Sequence, residues 1–308
     1  MMSCRALASA PASMLDKIWT NINKYVSDSV WLGGGSVLSA RNKVFAIRYA
    51  SRKAERSSCF LGGPADDAPV QMDYFVWAII GEARAFVVDT GFCAASGEKR
   101  GRVACRDPVH AIERVGLQAD TVTDVIQTHL HYDHAGGLSA FPAAKFHMHA
   151  RELEFAAGPL MRFDHLAQHY ERAHVDTAMS LTRAGRVAIM EEPVRTLAPG
   201  VELHHVGGHS DGLTCVRVMT KAGWLLLASD ICHFRENLTD RRPFPVAANV
   251  VDMLRAYETA ETLADGADLI IPGHDPDVME RFPAAGPQDA GIVARLDGGP
   301  KETPLSNF

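Results

Sequence analysis

Residues 128–137 read Thr128-His129-Leu130-His131-Tyr132-Asp133-His134-Ala135-Gly136-Gly137, and the rest of the chain is understood from this segment. It follows the apolar run Val122–Ile126 directly, which places it in the loop leaving a strand. In extended backbone, side chains two apart share a face. His129, His131 and Asp133 then point one way and His134 the other, unless the chain turns. Gly136 and Gly137 permit close backbone approach after such a turn. Four ligand-capable side chains in so short a run, divided between two directions, suit two adjacent cations better than one.

Three later segments complete the set. His209 stands in Val206-Gly207-Gly208-His209-Ser210-Asp211-Gly212, Asp230 in Leu227-Ala228-Ser229-Asp230, and His274 in Ile271-Pro272-Gly273-His274-Asp275. Each follows an apolar run expected to be a buried strand, so all would project from loops at one edge of the sheets. The seven side chains offer imidazole and carboxylate without thiolate. Two divalent metal ions are expected, with Zn2+ the best match and Fe, Mn and Co the other options. A lone histidine is more often structural, and His110, His165, His169, His174, His204 and His205 are read that way. His147 and His149 are read as alternate positions of a strand, because no acidic partner or glycine turn follows them.

Strands are expected at Tyr74–Ile80, Ala85–Val88, Val122–Ile126, Val216–Met219, Trp224–Ala228 and Leu269–Ile271, with Gly81-Glu82 as a hairpin turn. Helical patterns cover Val109–Val115, Ala150–Ala157, His165–Leu181 and Val251–Ala264, the last stopped near Gly266. Their irregular alternation suggests sheets covered by helices. Residues 1–40 are expected to be a poorly ordered N-terminal extension, residues 41–285 a single catalytic domain, and residues 286–308 a loosely held C-terminal tail.

Composition narrows the function. With 47% hydrophobic and 22% charged residues the chain can bury a sizeable core. A formal charge of −6 gives no electrostatic case for nucleic acid, and no apolar run is long enough to span a bilayer. Arg41, Lys43, Arg48, Arg52, Lys53 and Arg56 cluster without interleaved aromatics and are read as a solvated loop face. The scattered cysteines form no C-x-x-C pair, and no continuous apolar leader is evident near the start, so reduced thiols and a cytoplasmic location are expected.

The H-x-H-x-D-H run followed by a later His, Asp and His resembles the metallo-β-lactamase superfamily, and Val87-Val88-Asp89-Thr90-Gly91 is similar to its strand-turn signature. The resemblance spans about residues 44–283. It implies an α/β (α+β) fold, the four-layer αββα sandwich. Several branches fit less well. Flavodiiron enzymes usually carry Glu where this chain has His131, and the common metallo-β-lactamases carry Cys where it has Asp230. Glyoxalase II enzymes have a further helical domain after the last ligand, and the nuclease branch has added domains and a basic surface.

His129–Gly137, Ser229-Asp230, Arg235-Glu236-Asn237-Leu238 and Pro272–Asp275 look most like the N-acyl homoserine lactonases and related lactone hydrolases. That likeness implies His129, His131 and His209 around one metal, Asp133, His134 and His274 around the other, and Asp230 between them. It further implies that a hydroxide shared by the two metals opens a lactone, with Asp133 shuttling the proton. Where those lactonases have a carbonyl-binding Tyr, this chain has His233, expected as a catalytic residue to polarise the carbonyl together with a metal; the change leaves room for small γ-lactones or an aromatic-fused ring. Phe60 and Tyr132 are expected substrate contacts, with Met72, Met161 and Phe163 as further candidates. The expected partner is a small lactone or ester, with no nucleic acid and no membrane; a homodimer stays open. The other readings are an arylesterase or phosphotriesterase on the same site, and a metal-binding protein without turnover.

Overall fold

The structure is a computed structural model that describes residues 41–62 and 68–302; the expected extension at 1–40 lies outside them. The strands are β1 (Lys43–Glu55), β2 (Pro69–Ile80), β3 (Ala85–Val88), β4 (Asp124–Ile126), β5 (Lys145–His149), β6 (Val187–Met190), β7 (Val194–Ala198), β8 (Val201–His205), β9 (Thr214–Thr220), β10 (Gly223–Ser229), β11 (Ile270–Pro272) and β12 (Val293–Arg295). They form a seven-stranded sheet, ordered β12-β1-β2-β3-β4-β5-β6, and a five-stranded sheet, ordered β11-β10-β9-β8-β7. β3 to β6 run parallel, as do β10 and β11, and the other pairs are antiparallel.

Period-two alternation within the strands builds the layers. Phe75, Trp77 and Ile79 of β2 pack with Val216, Val218, Leu225 and Leu227 of β9 and β10, so one core fills the space between the sheets. Tyr74, Val76 and Ala78 face the other way, in a core with Leu153, Ala156, Val175 and Ala178 of the helices Ala150–Ala157 and Arg172–Arg183. Leu226 and Ala228 of β10 meet Met253, Ala256, Tyr257 and Ala260 of the helix Val250–Leu263. The result is the four-layer αββα arrangement, with helices outside both sheets.

Three expectations need correction. The basic cluster is not a solvated loop. Lys43, Arg48, Arg52 and Lys53 belong to β1, the longest strand, whose Val44, Ala46, Ile47 and Tyr49 are buried. Residues 286–302 are not a loose tail, because Val293–Arg295 pairs with Phe45–Ile47 and closes that edge of the sheet. The helix expected at His165–Leu181 is interrupted. Helices span Asp164–Ala167 and Arg172–Arg183, and between them Tyr170 bridges His131 while the Tyr132 N–H donates to the His169 carbonyl. Tertiary pairing overrides helix propensity there. Among the described residues no helix is long and apolar enough to cross a membrane.

Candidate metal centre

The ligand loop is shaped by one buried carboxylate. Asp89 follows β3 at φ 60°, a conformation uncommon for residues other than glycine. Its Oδ1 accepts from Thr128 N at 2.8 Å and Gln127 Nε2 at 3.1 Å, and its Oδ2 accepts from His134 Nδ1 at 2.8 Å. The Thr128 hydroxyl lies within 3.0 Å of both oxygens. The N–H groups of His134 and Ala135 both donate to the His131 carbonyl, so the chain turns and brings His134 back toward its neighbours. Gly136 N–H then donates to Gly91 O at 2.6 Å. A Cβ on Gly136 would stand 2.3 Å from Cys93 N and 2.7 Å from Gly91 O, so the close approach requires glycine.

Each other candidate leaves the end of a strand at the same sheet edge. His209 follows β8, Asp230 follows β10, and His274 follows β11. Candidate ligand atoms fall into groups within 4.8 Å of one another: His129, His131 and His209; Asp133, His134 and His274; His129, His134 and Asp230; and His209, Asp230 and His233. The two oxygens of Asp230 divide between them. Oδ2 is 3.1 Å from His209 Nε2 and 3.9 Å from His129 Nε2, whereas Oδ1 is 3.3 Å from His274 Nε2 and 3.5 Å from His134 Nε2.

The ring orientations are fixed from behind. Nδ1 of His134 donates to Asp89, Nδ1 of His209 to Val246 O at 2.8 Å, and Nδ1 of His274 to Asp73 O at 2.8 Å. That pattern holds Nε2 as the free nitrogen, as expected of metal-ligating histidines. Nε2 of His129, His134 and His209 and Oδ1 of Asp230 are buried without a hydrogen-bond partner. Buried polar atoms are rarely left so, and a cluster of lone pairs facing one point fits cations there. Glu152, buried beneath the site, accepts from Leu130 N at 2.8 Å, Gly212 N at 3.2 Å and the Tyr170 hydroxyl at 3.2 Å. It joins the His129–His134 loop to the His209 loop.

The electrostatics agree with this donor set. Burial, then neighbouring imidazoles, hold His129 and His131 well below the ordinary histidine range, which favours the neutral rings that ligation requires. At His134 and His274 burial is the largest single influence and acts downward, but nearby carboxylates together raise both, Asp230 with Asp89 at His134 and Asp230 with Asp133 at His274. Burial acts to raise Asp230, yet the surrounding histidines, His274 first, hold its carboxyl far below the usual range.

The centre opens into a cavity of about 280 Å3 whose lining includes His131, Asp133, His209, Asp230, His233 and His274. Tyr132 and Met72 also line it. Phe60 does not; it packs with Met72 and Phe234 in a small apolar cluster, its ring 5.7 Å from that of Phe234. Phe163 is exposed and Met161 packs against the helix-side core, so neither reaches the cavity. His233 lies within the cluster, but its Nε2 donates to Asp230 Oδ2 at 3.1 Å and its ring stacks on Phe244 at 3.5 Å. The proton expected to meet a substrate carbonyl is engaged with Asp230 instead. His169, read as structural, lines the cavity with its ring 5.5 Å from that of His131. His147 is indeed a strand residue, bonded to Asp124 at 2.9 Å. Sequence reasoning missed Tyr74, Arg52, Arg100 and Arg102 in the wall. The alternation of β1 was the available signal for Arg52; nothing comparable marks Arg102.

Residues 71–274 match the family model described as the metallo-beta-lactamase superfamily. The chain is 30% identical over 190 residues to the N-acyl homoserine lactonase AttM of Azorhizobium caulinodans, covering 58% of this chain and 67% of that protein. It is 30% identical over 203 residues to the N-acyl homoserine lactonase AiiB of Agrobacterium fabrum, covering 64% and 69%. Among solved structures, an N-acyl homoserine lactone hydrolase with its product N-hexanoyl-L-homoserine at the catalytic metal center superimposes with a TM-score of 0.63 at 22% identity. That match covers 76% of this chain and 93% of the other.

Proposed function

The chain belongs to the metallo-beta-lactamase superfamily, and from that membership we propose that it is a dinuclear metallohydrolase that opens a lactone ring. In this reading His129, His131 and His209 hold one divalent ion and Asp133, His134 and His274 the other, with Asp230 between them and zinc the best-matched metal. The observation carrying the proposal is the division of the Asp230 oxygens between two imidazole sets, at 3.1 Å and 3.3 Å on either side. When bound, such a pair polarises an ester carbonyl and lowers the pKa of a shared water to about 7.

The protein's own groups orient and move protons. His233, donating to Asp230 Oδ2, positions the bridging carboxylate. Asp133 is the partly exposed carboxylate of the set, and its backbone carbonyl is held by the Tyr49 hydroxyl at 2.8 Å. It is placed to hand a proton to the alkoxide that ring opening releases. That alkoxide stays tethered to the product, so protonation before reclosure decides the direction. Similarity to proteins named N-acyl homoserine lactonases supports a lactone as substrate. Free Cys59, Cys93, Cys105, Cys215 and Cys232 fit a reducing, cytoplasmic setting.

The test is pH-stat hydrolysis of a lactone panel beside p-nitrophenyl acetate and an organophosphate triester. We expect the lactones to be turned over fastest, activity to vanish on chelation, and zinc to restore it. Asp230→Asn should lower kcat/KM by at least about a hundredfold and reduce bound metal. Unchanged turnover and metal content in that variant would refute the bridging role; faster turnover of the aryl ester or triester would replace the lactone.

A further inference from the structure

One part of the cavity wall is cationic. Arg52, Arg100 and Arg102 all line the cavity. Arg100 is neutralised: it pairs with Glu171, donates to backbone carbonyls, and lies over the Tyr132 ring at 4.1 Å. Arg52 and Arg102 are different, because among the described residues neither has an acidic partner. Arg52 Nε donates to the Tyr74 hydroxyl at 2.9 Å, and Arg52 Nη2 meets Met72 Sδ at 3.2 Å. Arg102 donates through Nη1 to Arg100 O at 2.8 Å, and its Nε is buried without a partner. It lines the cavity together with Tyr74 and Tyr132. Two half-buried guanidiniums without an acidic partner thus line one cavity with Tyr74, whose hydroxyl Arg52 already holds.

Like charges so placed repel, and a buried guanidinium N–H without an acceptor is costly. An oxyanion between them relieves both, and the planar guanidinium fork matches a carboxylate. Tyr74 also fixes the distance to the metal centre, since its ring meets His274 edge-on at 5.1 Å between centroids. The cationic end therefore lies one tyrosine side chain away from a candidate metal ligand. We infer that Arg52 and Arg102 form a carboxylate subsite, so that the substrate is a small lactone or ester bearing a carboxylate. A cavity of about 280 Å3 that carries three arginines among its lining side chains suits such a compact anion better than a long neutral acyl chain. This rests on the hydrolase reading above.

The experiment compares γ-butyrolactone with the same ring carrying a carboxylate at its γ-carbon, on the zinc-loaded protein. We expect kcat/KM to favour the carboxylated lactone by about a hundredfold, chiefly through KM. In Arg52→Gln and Arg102→Gln that preference ratio should fall by at least about tenfold each, with partial recovery in the lysine variants. Calorimetric titration with cyclopentanecarboxylate supplies a readout independent of turnover. It should bind the wild type and lose at least about tenfold in affinity in the double Gln variant. Equal binding to both proteins would mean that the metals alone hold it, and a wild-type preference for the neutral ring would be equally fatal. Inorganic phosphate displacing the carboxylate more strongly than the reverse would overturn the choice of anion. If neither lactone is hydrolysed while the carboxylate still binds through the arginines, the hydrolase reading fails and the subsite stands.

Discussion

Replacing Asp89 with Asn tests how the protein selects the ligating nitrogen of His134. The amide must put its NH2 where one carboxylate oxygen now sits. On the Oδ1 side it would face two donors, Thr128 N–H at 2.8 Å and the Gln127 amide at 3.1 Å. On the Oδ2 side it meets the Thr128 hydroxyl, which can rotate, and His134 Nδ1 at 2.8 Å, which can accept. The NH2 therefore takes that side and moves the His134 proton to Nε2. That atom stands 3.5 Å from Asp230 Oδ1 and is the one that should present a lone pair. Losing such an orienting partner costs about 10- to 100-fold in metal affinity, or about 1.4–2.7 kcal/mol. The fold suffers less, about 1 kcal/mol, because the other donors keep their acceptors. Zinc competition against a chromophoric chelator, with melting of the metal-free protein in parallel, separates the two effects. Equal zinc affinity in Asp89→Asn and wild type would refute the tautomer argument, as would a metal-free variant that loses most of its stability.

Glu152→Ala removes the acceptor shared by Leu130 N, Gly212 N and the Tyr170 hydroxyl, and should cost about 3–5 kcal/mol in urea unfolding. A loss below about 1 kcal/mol would show that the two ligand loops stand without it. Gly136→Ala sets a methyl 2.3 Å from a backbone nitrogen that cannot swing aside, so about 2–4 kcal/mol should be lost; a variant as stable as wild type would contradict the packing. Burial, with His205 and Arg151 adding to it, pushes His149 down to about 4. The unfolded chain takes up that proton near pH 6.5, so this contribution is complete above pH 6.5 and is lost as pH falls toward 4. Urea midpoints at pH 7.5 and 5 should differ less in His149→Gln than in wild type, and identical slopes would exclude His149 as their source.

The parts of the fold that could be read from the chain were those with a local cause. The apolar runs that became β3, β4, β10 and β11 end beside His, Asp and Gly, so strand and ligand loop announced each other. β1 escaped because its basic residues masked its alternation, although Val44 and Ala46 keep the period on one face and Ile47 and Tyr49 on the other. β12 escaped because three residues carry too little pattern, and its pairing with Phe45–Ile47 is a contact across the whole chain. The candidate ligands were legible as a motif, whereas the groups that orient them are not. Glu152 and Tyr170 look like ordinary helix and loop residues until their buried bonds are seen. Phe60 misled for the converse reason: an aromatic near the right strand packed on Phe234 rather than in the cavity.

The pinning of His134, His209 and His274 through Nδ1 has a consequence for how the protein would be loaded. Those rings are anchored to Asp89 and to the carbonyls of Val246 and Asp73, so the protein's own hydrogen bonds would orient three candidate ligands without help from an ion. Stripping and refilling would then leave the walls in place, and one ion could replace another without the chain refolding. Which element occupies the site would follow from metal supply as much as from the site itself.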